Sequence, residues 1–154
     1  MIMLRKWRNT RVFVIELVMN SVLYHGSYNG KITKFEPRIN TTPNGREMPP
    51  SVYATDIIAY AVAFGFPWST DMDNVELSFN GNNVELIVPS MIEERINQKV
   101  YVYLFDSKDF ELIKDAEPLG HNFVTQKAVT PIDVIEFESV QSALISLGSK
   151  VIIK

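Results

Sequence analysis

"SVYATDIIAYAVAFG", residues 51–65, reads as a short strand that runs straight into a helix. Val52, Tyr53 and Ala54 belong to the strand. From Ile57 to Phe64 apolar residues fall on nearly every side, which marks a helix buried all round. Thr55 and Asp56 are the two candidate caps at the junction. Gly65 and Pro67 end the helix.

On the N-terminal side, "VLYHGSYNG" (22–30) is a short apolar strand ending in Tyr24-His25-Gly26-Ser27 and a polar turn. "KITKFEP" (31–37) alternates Ile32 and Phe35 with charged neighbours, the pattern of a second short strand. "PRINTTPNGREMPP" (37–50) holds four prolines and the turn pair Asn44-Gly45, and is expected to be a loop. On the C-terminal side, "VELSFNGNNVELIV" (75–88) is the clearest local signal, two alternating strands around Asn80-Gly81. "PSMIEERINQ" follows, with Ser90 and Glu93 spaced as a capping box for a short helix. "KVYVYLFD" (99–106) is a long β run, "FELI", "NFVTQ" and "PIDVIEFESV" are further strands, and "SVQSALISLGS" is a C-terminal helix. Short strands without a βαβ rhythm predict an α+β fold with a mainly antiparallel sheet.

The chain of 154 residues suits one domain over 21–154, with residues 1–20 as an N-terminal extension, partly helical, outside the main fold. Hydrophobic residues at 46% and charged residues at 21% fit a globular protein. A net charge of −3 gives no electrostatic reason to expect a nucleic-acid or anionic-membrane partner. The apolar run near the N-terminus is broken by Glu16, Asn20 and Ser21 and is shorter than a membrane span of roughly 20 residues. With no cysteine, disulfides, thiolate metal sites and cysteine nucleophiles are excluded, and a cytoplasmic location fits.

Few standard chemistries survive. Asp71 and Asp73 begin a calcium-loop pattern, but Asn82 stands where a bidentate carboxylate is needed. Two histidines far apart, without cysteine, argue against zinc, and no metal is expected. No serine has a nucleophile context. What remains is a spaced set of three stretches: Tyr24-His25-Gly26-Ser27, then Val52-Tyr53-Ala54-Thr55-Asp56, then "HNFVTQKAVTPIDVIEF". Singly, His25 reads as a structural hydrogen-bonder and Tyr53 as a core aromatic; together they invite a different reading.

The set resembles the ADP-ribosyltransferase superfamily, in the branch with His, Tyr and a third, often acidic, signature residue. "LYHGS" resembles the first motif of poly(ADP-ribose) polymerases and rifampin ADP-ribosyltransferases. "SVYATDIIAYAVAFG" resembles the second motif, and the spacing from His25 to Tyr53 resembles that of the compact rifampin-type enzymes. "KVYVYLFD" and "NFVTQKAVTPIDVIEF" resemble the later strands.

The resemblance implies an ADP-ribosyltransferase-like split sheet and NAD as substrate. His25 would hydrogen-bond the adenosine ribose and Gly26 would leave room for the backbone to grip the nicotinamide amide. Tyr24 would belong to the same NAD-binding motif, and Ser27 would add a hydroxyl. Tyr53 would stack on the nicotinamide and Phe64 would form the opposite wall. Asn122, with Gln126 close behind, stands where the polymerases have a catalytic glutamate, and neither amide can act as a general base. Asp109, Glu111 and Asp115 are weaker acid candidates. Ala61 occupies the helix position that usually carries a serine. Residues 37–50 would form a lid. These departures imply transfer of a single ADP-ribose to an acceptor that is a protein, a nucleic acid or a small molecule. The alternative is a non-catalytic module binding NAD or ADP-ribose, or a protein-interaction module.

Overall fold

The computed structural model describes residues 21–41, 47–68 and 74–154. The expected extension over 1–20 lies outside the described residues. The first strand, β1 (Val22–Ser27), pairs antiparallel with β6 (Val100–Asp106), which pairs antiparallel with β9 (Asp133–Phe137). A second sheet has the order β2-β3-β8-β7, from β2 (Arg38–Thr41), β3 (Glu47–Ala54), β7 (Glu111–Leu112) and β8 (Phe123–Thr125). A third joins β4 (Glu76–Asn80) and β5 (Asn83–Val88), and adds β10 (Lys150–Ile153) parallel to β5. Helix α1 (Ile58–Phe64) follows β3, and α2 (Val140–Ser146) precedes β10. The fold is α+β with mostly antiparallel sheets, and no helix among the described residues is long and apolar enough to cross a membrane.

Strand β6 explains how the layers fit. Side chains alternate between the two faces of a strand. Val100, Val102 and Leu104 enter a core shared with Val62, Leu86 and Leu144, while Tyr103 and Phe105 enter another with Leu23, Phe35 and Val52. Both faces of β6 are therefore covered, which accounts for its near-continuous apolar sequence.

Helix α1 is buried from Ala59 to Ala63, as its all-round apolar pattern requires. Its small residues allow it to touch β1 backbone to backbone. A Cβ at Gly26 would lie 1.6 Å from the Ala61 carbonyl oxygen, and one at Gly65 would lie 2.9 Å from the Ser27 nitrogen. The expected caps do not form. Ile57 is the N-cap, without a side-chain hydrogen bond, while the Thr55 hydroxyl accepts the Ile57 N–H at 3.2 Å. Asp56 turns instead to His121.

Three further expectations are corrected. Much of 37–50 is strand rather than loop: β2 and β3 pair as Arg38↔Ser51 and Asn40↔Met48, with 42–46, including Asn44-Gly45, outside the described residues. The prolines 49 and 50 are tolerated because the β2 ladder shifts register there and β8 reaches only Val52–Ala54. Within 31–37, only Phe35 pairs, through a bridge to Val129. The Ser90 capping box is absent, since Ser90 N–H donates to the Lys154 carbonyl at 2.8 Å and prolongs the β5–β10 ladder. Ser90–Asn97 is accordingly a 3-10 segment kinked at Ile92.

Candidate functional site

Strands β1 and β3 belong to different sheets and meet in one bridge, Tyr24 to Thr55, with hydrogen bonds of 2.7 and 2.9 Å. The bridge brings the end of "LYHGS" against the end of "SVYAT". The next residue, His25, then places Nδ1 2.6 Å from the Tyr53 carbonyl oxygen. A carbonyl only accepts, so Nδ1 carries the proton, and in the neutral ring Nε2 is left as an acceptor. Burial pushes the imidazole below its ordinary value of 6.5, and the charge of Arg38 adds to this against the opposing hydrogen bond to Tyr53. His25 is thus held neutral in one tautomer. The Phe35 ring packs edge-on to it at 4.8 Å.

A cleft of about 80 Å³ opens beside this junction, lined by Tyr24, His25 and Gly26 from β1, Tyr53 and Ala54 from β3, Phe64 from α1, and Asn122. Register explains how Asn122 arrives there. Tyr53 pairs with Val124, so Asn122, two residues earlier, shares the face of the sheet that Tyr53 presents. The Asn122 Nδ2 donates to the Glu117 carbonyl at 3.3 Å. Phe64 is 42% exposed, an apolar ring left open at the cleft rather than sealed in the core.

Residues 24–153 match the model of DUF6886, a family of unknown function. The chain belongs to that family. The match spans every residue that lines the cleft. No curated protein and no solved structure matches the chain.

Other candidate residues lie elsewhere. Ser27 is outside the cleft, its hydroxyl accepting the Asn29 N–H at 3.0 Å to close the turn after β1. Gln126 follows the far end of β8, about 13 Å along an extended strand from Asn122, and does not line the cleft. Ala61 is fully buried, with its carbonyl against Gly26 rather than its side chain in the cleft. Asp109 pairs with Lys127 at 3.6 Å, Glu111 is exposed on the outer strand β7, and neither they nor Asp115 line the cleft. The glycine at 26 is required first by the approach of α1. Among the described residues, no group of three or more His, Asp or Glu side chains is placed to hold a metal ion.

Two groupings are not legible in the sequence. A second cavity, of about 260 Å³, shares His25 and Tyr53 with the cleft, and its polar lining adds Ser27, Lys34, Glu36, Arg38 and Ser51. Near the cleft, His121 Nδ1 lies 2.8 Å from Asp56 Oδ1, and the His121 ring meets Tyr60 edge-on at 5.7 Å. Tyr60 in turn packs on Phe79 at 4.7 Å, and Phe79 on Phe64 at 5.9 Å, so an aromatic row links the His121–Asp56 hydrogen bond to the cleft wall. The signal available is that Asp56 ends the second of the three stretches and His121 begins the third.

Proposed function

We propose that the protein binds NAD across the two cavities that meet at His25 and Tyr53, and that it transfers one ADP-ribose to an acceptor with release of nicotinamide. The observation that carries this reading is the convergence of Tyr24, His25, Gly26, Tyr53, Phe64 and Asn122 on one cleft from β1, β3, α1 and the entry to β8. The bridge between sheets β1-β6-β9 and β2-β3-β8-β7 supports an ADP-ribosyltransferase-like fold in the same reading.

The two cavities divide the dinucleotide. The cleft between Tyr53 and Phe64 takes the end of one flat ring, the nicotinamide. The larger cavity takes the adenylate half, with the cation of Arg38 toward its phosphates, while Lys34 is paired with Glu36 of the same lining at 3.6 Å. His25 stands between them, and its neutral Nε2 accepts a ribose hydroxyl. Tyr53 and Phe64 contribute aromatic stacking on the order of 0.5–1.5 kcal/mol beyond the area they bury. In the reaction the bond from the nicotinamide nitrogen to the ribose anomeric carbon breaks, and its electron pair leaves with nicotinamide. The acceptor forms the new bond at that carbon and gives up a proton. Orientation of the reactants is the main contribution a site of this kind makes.

A second reading, a binding module without turnover, is favoured by one feature. Asn122 presents an amide, already committed to the Glu117 carbonyl, where a catalytic carboxylate would be needed. NAD labelled in its adenylate half, incubated with the purified protein and a cell lysate, separates the two. Label on a defined acceptor supports transfer, and calorimetric binding of NAD without nicotinamide release supports the module. Wild-type protein that neither binds nor cleaves NAD sinks both, as does unchanged NAD binding in His25→Ala and Tyr53→Ala.

A further inference from the structure

We infer that His121 and Asp56 form a general-base pair at the mouth of the cleft and take the proton of the acceptor, the task that the amide of Asn122 cannot perform. The inference rests on the cleft taking NAD. It begins from hydrogen-bond direction. Asp56 Oδ1 only accepts, so the contact of 2.8 Å fixes the proton of His121 on Nδ1 and leaves the Nε2 lone pair as a base in the neutral ring. A base whose other nitrogen is oriented by a third group is the arrangement that activates a nucleophile.

Neither side chain lines the cleft itself, but each lies within two residues of one that does. Asn122, the residue after His121, lines the cleft, and Ala54, two residues before Asp56, lines it as well. The His121 ring leans on Tyr60, one helical turn before Phe64 of the same wall. At 36% and 40% side-chain exposure the pair is open to an acceptor arriving from solvent. The neighbouring ionisable groups are otherwise engaged. The Tyr60 hydroxyl donates to the Gly81 carbonyl, and the Glu117 carboxylate accepts the Leu119 N–H at 3.4 Å. Asp56 and Glu117 are the charges that face Tyr60, and Asp56 alone bonds the imidazole.

The step balances. The acceptor atom bonds the anomeric carbon as the nicotinamide leaves with the electron pair of the broken C–N bond. The acceptor proton moves to His121 Nε2, the Asp56 carboxylate stabilises the imidazolium, and water removes the proton afterwards. No oxidant or further reactant is consumed, and water itself serves as acceptor in hydrolysis.

The test is the pH profile of nicotinamide release by the full chain, with NAD affinity measured alongside. His121→Gln is expected to slow release on the order of 100-fold, to lose the limb that rises with pH, and to keep its NAD affinity and thermal midpoint. Asp56→Asn is expected to slow release less and to keep the limb. Wild-type rate and pH profile in His121→Gln, while His25→Ala has lost NAD binding, overturns the base and leaves the proposed function standing. So does a shift in thermal midpoint with the pH limb intact, which marks the pair as a structural tie between β3 and β8. A wild-type protein with no NAD binding overturns the proposed function, and the base with it.

Discussion

The two walls of the cleft are held in different ways. The β1–α1 wall is fixed by backbone contact: Gly26 lies on the Ala61 carbonyl, and the Nδ1 of His25 is tied to the main chain of Tyr53. The wall before β8 is fixed by side chains at the surface, through Asn122 to the Glu117 carbonyl and His121 to Asp56. Main-chain contacts inside a packed core resist change, because neighbours there cannot move aside. Exposed side-chain bonds are individually worth little and are exchanged cheaply with water. The recognition half of the site is therefore rigid. In the proposed reaction the half that faces the acceptor is adjustable, and substitution there is expected to reach the chemistry without reaching the fold.

The largest expected effect breaks the first wall. Gly26→Ala drives a methyl to 1.6 Å from the Ala61 carbonyl oxygen, a contact only a shift of α1 relieves. A loss of about 3 kcal/mol is expected from such overpacking, read as a lowered urea midpoint with unchanged slope. Gly81→Ala is the control: open space surrounds it, and only its φ of 61° resists a side chain. It should cost about 1 kcal/mol. Equal losses in the two variants would remove the argument that α1 and β1 are locked together.

The second effect sharpens the account of His25. Its folded value is lowered from 6.5, chiefly by burial, so the unfolded chain binds the proton more tightly than the folded one. Stability then rises with pH from the folded value up to about 6.5 and is lost as pH falls below 6.5. His25→Gln should flatten that window in urea melts taken from acid to neutral pH. Binding of ADP-ribose should hold through that window and weaken only below it, as pH falls through the lowered folded value, since a protonated Nε2 no longer accepts a ribose hydroxyl. Acid-insensitive melts in the wild type would contradict the neutral, main-chain-tied imidazole.

Much of this was written locally in the sequence. The 75–88 hairpin, the buried helix after Tyr53 and the long β6 run each carry a strong period, and each is present. Of the residues read as one set, Tyr24, His25, Gly26, Tyr53, Phe64 and Asn122 line one cleft, while Ser27 and Gln126 do not. The misses are all non-local. Prolines 49 and 50 suggested a loop, because the ladder shift that accommodates them depends on β2. Strand β10 has no periodic signature of its own and exists by pairing in parallel with β5. The Asp56–His121 bond spans 65 residues, and Arg38 meets the His25 cavity only once β1 and β3 are joined.

The smallest expected effect lies on the second wall. Asn122→Ala removes one partly exposed hydrogen bond of 3.3 Å and leaves the Glu117 carbonyl within reach of water. A stability loss of about 0.5–1 kcal/mol follows, several times less than for Gly26→Ala. Because the Asn122 side chain shares the sheet face of Tyr53, the same variant should still change the cleft. Nicotinamide release should fall while ADP-ribose affinity, set by His25 and the larger cavity, stays within about threefold, a difference under 1 kcal/mol. Binding of ADP-ribose and release of nicotinamide, measured on one preparation, give the split directly. If affinity falls as far as turnover, Asn122 belongs to the recognition half, and the division between a rigid wall and an adjustable one has been drawn in the wrong place.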